Sequence, residues 1–209
     1  MIKAVIWDAD GTLLDSMPIW DDVGARYLIS IGVKPETNLG DVLFTMSLEE
    51  GAEYMKKHYN LRETCEQIID GVLGVIDNFY RFEVQLKPGI DKLLKKYRQN
   101  DIPMVVATTS DDKLITASFR RLGIEDYFCR IFTATELHTT KKEPLIYQTA
   151  ARFMGCRPSE TIVYEDVLHA IRTAKDAGFQ TVAVYDEASA CDWNEISTIA
   201  DSTINYKHK

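Results

Sequence analysis

Apolar residues along the chain follow two patterns. In one, short runs rich in β-branched residues are almost continuously apolar, at 4–7, 104–108, 130–134, 161–164 and 181–185. A strand with one wet face alternates; unbroken runs suit strands covered on both faces, as in a parallel sheet. In the other, apolar residues recur at helical spacing. The stretch 110–122 opens with Ser110 as a candidate N-cap and ends at Gly123. The stretch 143–154 sets Ile146, Ala150 and Phe153 on one face before Gly155, and 167–177 sets Val167, Ile171 and Ala174 on one face before Gly178. Glycine just past a helix is a stop signal because it adopts the left-handed conformation cheaply. Strand and helix in alternation predict an α/β fold, a doubly wound core with a parallel, Rossmann-like sheet.

The alternation lapses between 16 and 84, where no convincing strand occurs. One helical stripe there is Trp20, Val23, Tyr27 and Ile31; a longer one is Cys65, Ile68, Val72, Ile76, Phe79 and Tyr80. The aromatic residues Trp20, Tyr27, Phe79 and Tyr80 are expected mainly in its core, with a minority facing the substrate. Residues 1–15 and 85–209 therefore read as the α/β core, with 16–84 as a helical subdomain inserted after the first strand. Leu13-Leu14-Asp15-Ser16 is the expected hinge into the insertion, Lys87-Pro88-Gly89 the return turn, and 206–209 a frayed tail.

Composition adds exclusions. With 32 acidic against 24 basic residues the formal charge is −8, which argues against broad binding to a nucleic-acid backbone. No run approaches the ~20 apolar residues of a membrane span. Cys65, Cys129, Cys156 and Cys191 are scattered without a C-x-x-C pair and no leader precedes the first strand, so reduced thiols and a cytoplasmic location are expected. His58, His138, His169 and His208 show no ligand spacing.

In open α/β sheets ligands bind beyond the carboxyl ends of the strands. The residues just past each strand are therefore informative. Asp8 and Asp10 come after the first, in Asp8-Ala9-Asp10-Gly11-Thr12; Thr108-Thr109-Ser110 close the second; a loop with Lys141 and Lys142 comes after the third; Glu165-Asp166 close the fourth. Aspartates before glycine are common in plain turns, and paired lysines on loops are commonly just solvated. Several carboxylates gathered at one edge, however, repel one another and take up protons unless a cation sits among them. Mg²⁺ suits such oxygen donors, usually shared with substrate phosphate and water. Thr108, the amides after it and a lysine would cradle the phosphate, and an aspartate beside both could attack phosphorus.

These motifs, in this order and with this insertion, resemble the haloacid dehalogenase superfamily, in its β-phosphoglucomutase-like branch with a helical cap. The resemblance covers nearly the whole chain. It implies Asp8 as nucleophile and Mg²⁺ ligand, and Asp10 as general acid/base with its carbonyl on the metal. It implies Thr108, with Thr109 beside it, holding the phosphoryl group, and Lys141 neutralising Asp8 and phosphate. Asp166 becomes a Mg²⁺ ligand, with Glu165 binding directly or through water. The lysine motif of the branch usually reads Lys-Pro; here Lys141-Lys142 stands there, and the register of Pro144 and Tyr147 favours Lys141. An aspartate at the Asp10 position implies phosphate-ester chemistry rather than dehalogenation. Where phosphoglucomutases carry a cap histidine and a Val-Ser-Arg segment, this chain has Trp20 and Met46-Ser47-Leu48. A Mg²⁺-dependent phosphatase acting on a small phosphorylated metabolite is therefore expected, as a monomer. A sugar phosphomutase and a non-catalytic phosphate-binding protein are the alternatives.

Overall fold

The computed structural model describes residues 1–205; the expected frayed tail and His208 lie outside the described residues. Contacts divide the chain into a unit of Met1–Ser16 with the residues from Val84 onward, and a second unit, Met17–Glu83.

The first unit is built on a six-stranded parallel sheet. Its strands are β1 (Ala4–Trp7), β2 (Met104–Thr108), β3 (Ile131–Thr133), β4 (Thr161–Glu165), β5 (Gln180–Val184) and β6 (Ser202–Ile204), in the order β3-β2-β1-β4-β5-β6. β1 and β2 are buried at every position, as their unbroken apolar character requires. The order reverses at β1, so the ends of β1, β2 and β4 meet at a switch point, where such sheets bind ligands.

Among the described residues, apolar clusters pack against this sheet. One joins Ile6, Val105, Phe132 and Val163 to Ile146, Tyr147, Ala150 and Ala151; another joins Ile171, Ala183 and Ile196. The helix Leu145–Phe153 thus buries a face centred on Tyr147 and Ala151. Phe153, expected inside, is 51% exposed and lies edge-on to Phe132. Two other expectations are corrected. The third strand is shorter than 130–134. The sheet also has a sixth strand, β6, that the apolar pattern does not predict, because an edge strand of Ser-Thr-Ile carries no continuous apolar run. The chain leaves and re-enters this unit side by side: Leu13 and Leu14 are fully buried, Asp15 N donates to Gln85 O (2.9 Å), and Lys87 N donates to Leu13 O (2.9 Å).

The second unit is helical: α1 (Pro18–Ser30), α2 (Leu39–Leu43), α3 (Leu48–His58) and α4 (Cys65–Asn78), the last continued by a π-turn at Phe79–Glu83. Capping boxes start α3 (Ser47 with Glu50) and α4 (Thr64 with Gln67), satisfying amides that a helix start leaves unpaired. The α4 stripe is as expected from Ile68 to Tyr80, with Cys65 half-buried at its edge. The α1 stripe is corrected. Its buried residues are Ile19, Gly24, Tyr27 and Leu28, while Trp20 is 47% exposed. Gly24 is part of the reason: a Cβ there would sit 2.5 Å from Leu43 Cδ1, so a close contact of α1 runs through a residue that no count of apolar side chains registers.

Candidate active site

β1 ends at Trp7 and delivers Asp8, whose amide donates to Tyr164 O (3.0 Å) and so extends the sheet by one residue. The chain then turns sharply. Gly11 has φ +76°, a left-handed value that favours glycine, and its amide donates to Leu14 O (3.0 Å). The turn aims Asp8 inward, and Thr12 Oγ1 donates to Asp166 Oδ1 (3.2 Å). Asp8 and the residues beyond β4 thereby share one buried space.

Lys141 fills it. Its ammonium is buried, donates to Asp8 Oδ1, and lies 2.7 Å from Glu165 Oε1. Lys142 is exposed, so the geometry selects Lys141 from the pair. Tyr147, fully buried, donates its hydroxyl to the same Glu165 Oε1 (2.8 Å). Two donors thus converge on one oxygen, while Glu165 Oε2 is buried with no hydrogen-bond partner. Ligand oxygens of Asp8, Glu165 and Asp166 lie within 4.8 Å of one another.

One lysine faces three buried carboxylates, and this imbalance sets the electrostatics. Burial pushes the Asp8 carboxyl up to about 7, reinforced by Glu165 and Asp10 and opposed by Lys141. Burial raises Asp166 well above the carboxylate range, with Asp8 and Asp186 adding to it. Glu165 is raised by burial and by Asp166, against the pull of Lys141 and Tyr147. Burial alone would lower Lys141, but the charges on Asp8 and Glu165 outweigh it and hold the ammonium above its ordinary range. The cluster carries more negative charge than its lysine offsets. An orphaned buried carboxylate oxygen amid oxygen donors fits a hard divalent cation such as Mg²⁺.

Asp10 has a separate setting. It is half-buried, and its oxygens accept from Ser16 Oγ (2.6 Å) and Ser110 Oγ (2.5 Å). The Ser110 amide donates to Thr108 Oγ1 (3.0 Å), which ties the end of β2 to Asp10. The expectation that Ser110 caps the following helix is corrected. Asp111 caps the helix Asp112–Leu122 by accepting from Lys113 N (2.8 Å), which leaves Ser110 to hold Asp10. Thr108 is buried at the site, whereas Thr109 is exposed. Sequence reasoning misses Ser16, Ser110 and Tyr147 as site residues. Tyr147 enters it only as a register mark, Ser16 only as part of the expected hinge, and Ser110 as part of Thr108-Thr109-Ser110 and a helix cap rather than as a partner of Asp10.

Carboxylates at two strand ends and a buried lysine bonded among them, at a switch point of the sheet, are the arrangement of an α/β enzyme. The family model for haloacid dehalogenase-like hydrolases matches residues 2–178, and the chain belongs to that family. It is 23% identical over 181 residues to the phosphorylated carbohydrates phosphatase of Thermotoga maritima, covering 87% of this chain and 84% of that one. It is 26% identical to the phosphoglycolate phosphatase of Chromobacterium violaceum, covering 98% and 92%. Among solved structures, a Thermotoga maritima protein provisionally named a β-phosphoglucomutase shares the fold with TM-score 0.85 at 21% identity, over 98% of this chain and 94% of the other. Among the described residues no helix is long and apolar enough to cross a membrane.

Proposed function

We propose that the chain is a Mg²⁺-dependent phosphatase that hydrolyses a small-molecule phosphomonoester through an aspartyl-phosphate. The observation that carries this reading is the buried triangle of Asp8, Glu165 and Asp166 with Lys141 bonded across it. The relatives named as phosphatases support hydrolysis as the outcome. Asp8, Glu165 and Asp166 would hold the metal, with the Asp10 carbonyl beside them; bound there, Mg²⁺ supplies charge neutralisation for an anionic phosphoryl group.

Asp8 Oδ attacks phosphorus, and the bond from phosphorus to the ester oxygen breaks. Asp10 gives its proton to the departing alkoxide, then takes one from the water that attacks the aspartyl-phosphate and releases inorganic phosphate and free Asp8. Ser16 and Ser110 hold Asp10 apart from the carboxylate cluster, so the two acids work in different surroundings. Lys141 stays protonated throughout and favours the ionised form of the attacking carboxylate, opposing the burial that raises it. Thr108 and the backbone after β2 receive the phosphoryl oxygens.

The test is direct. The purified protein is expected to release p-nitrophenol from p-nitrophenyl phosphate with Mg²⁺ present, and Asp8→Asn to remove this activity. Full activity in Asp8→Asn, or none in the wild type across a broad phosphate panel, overturns the reading.

A further inference from the structure

The first unit carries a cavity of about 510 Å³ apart from the carboxylate cluster, within the size range of small-ligand sites. The helix Leu145–Phe153 forms one wall, and the chain that follows it, as far as Pro158, forms the other. Pro158 opens the short turn that leads into β4, and Glu165 closes β4. The cavity and the carboxylates therefore lie at opposite ends of one strand.

The polar groups of the lining are unevenly engaged. Arg157 grips Glu160 with Nε (3.1 Å) and Nη2 (3.1 Å), a fork in which the two charges cancel. The Cys156 thiol donates to Met154 O (3.4 Å). Among the described residues, neither the Arg152 guanidinium nor the Gln148 amide has a hydrogen bond or ion pair, and no acidic side chain lines the cavity. Four residues apart on a helix, Gln148 and Arg152 stand as neighbours on one face. An exposed arginine is commonly just hydrated. This one stands in a concavity beside an unengaged amide, over an apolar floor that includes Ala151 and Pro158. Gly155, at φ +67°, leaves open space where a Cβ would point. The lining thus holds one uncompensated positive charge in a chain of formal charge −8.

We infer that this cavity is a binding site for a small monocarboxylate with a compact apolar body. The planar guanidinium of Arg152 matches a carboxylate through two parallel hydrogen bonds, and the Gln148 amide can donate to the same group. One net positive charge suits a monoanion. A phosphate or a dicarboxylate would bring a second charge that the lining does not meet, because Arg157 is already neutralised by Glu160. The apolar body gains by burial against Ala151 and Pro158. This site stands independently of the phosphatase reading.

Benzoate is the probe, titrated calorimetrically into the whole chain with EDTA present. Without a divalent cation the carboxylate cluster has an excess of negative charge and repels the probe. Benzoate is expected to bind one molecule per chain at about millimolar concentration or below. Neutral benzyl alcohol and dianionic phenylphosphonate should displace it at least about tenfold less readily. Arg152→Met should weaken benzoate at least about tenfold, and Arg152→Lys about threefold, since lysine keeps the charge and loses the fork. Gln148→Leu should weaken it about threefold. Both side chains are exposed, so these variants should unfold at the wild-type temperature. Asp8→Asn should leave benzoate affinity unchanged. No binding at millimolar benzoate, equal displacement by benzyl alcohol or phenylphosphonate, undiminished binding in Arg152→Met, or binding lost in Asp8→Asn overturns the inference.

Discussion

Lys141 and Lys142 are adjacent and chemically identical, yet one is buried against Asp8 and Glu165 and the other is solvated. Removing one partner from a buried ion pair leaves uncompensated charge, at a cost of about 3–5 kcal/mol. Lys141→Met should accordingly lower urea-unfolding stability by about that amount at neutral pH, and reduce kcat/KM roughly 100- to 1,000-fold or more. Lys142→Met should stay within about 0.5 kcal/mol of the wild type. Comparable losses in both variants would show that the lysine is shared between registers. The same contrast explains what can be read at this scale in advance. Asp8, Asp10, Glu165 and Asp166 stand out because carboxylates at strand ends demand partners. Ser110 and Tyr147 do not, since a neutral hydroxyl fits many surroundings and only its neighbours give it a role.

Among the elements, α4 carries two glycines whose roles differ, and only Gly71 meets α1. A Cβ on Gly71 would meet the Tyr27 ring at 2.2 Å, while one on Gly74 would meet nothing within 4 Å. Both substitutions to alanine gain helix propensity of up to ~1 kcal/mol. Gly71→Ala should nonetheless destabilise by about 1–3 kcal/mol through overpacking, and Gly74→Ala should stabilise slightly. Denaturant midpoints of the two variants check this; equal shifts would mean that α1 and α4 adjust freely. Strands are legible because a two-sided sheet imposes continuous apolar runs. The face of α1 is not, because Gly24 makes its contact by lacking a side chain.

For the molecule as a whole, the carboxylate excess at the site links stability to pH and cation. The Asp8 carboxyl stands at about 7 in the fold, chiefly through burial, against an ordinary 3.8. The folded state thus keeps a proton that the unfolded chain has already lost. Its contribution is full below about pH 4 and disappears as pH rises through about 7. Glu165 and Asp166 shift in the same direction. A divalent cation bound among these carboxylates would take over the proton's role and remove this loss. Other carboxylates, such as Glu160 held below its usual range by Arg157 and Lys3, act with the opposite sign. The informative quantity is therefore the rise in Tm on adding Mg²⁺, expected to be larger near pH 8 than near pH 5. An equal rise at both would place the cation elsewhere.

The amino-acid sequence by itself determined the alternation of buried strands and helices, the interruption between them, and the charged residues at the strand ends. Each of these arises from local physics: burial on two faces, helical period, and the cost of an unpaired charge. Only the tertiary structure decided which lysine enters the carboxylate cluster, which serines hold Asp10, and that Trp20 lines a cavity rather than filling a core. Those choices depend on distances between residues far apart in the chain. A pattern read along one dimension carries the need for a partner, and folding in three dimensions supplies it.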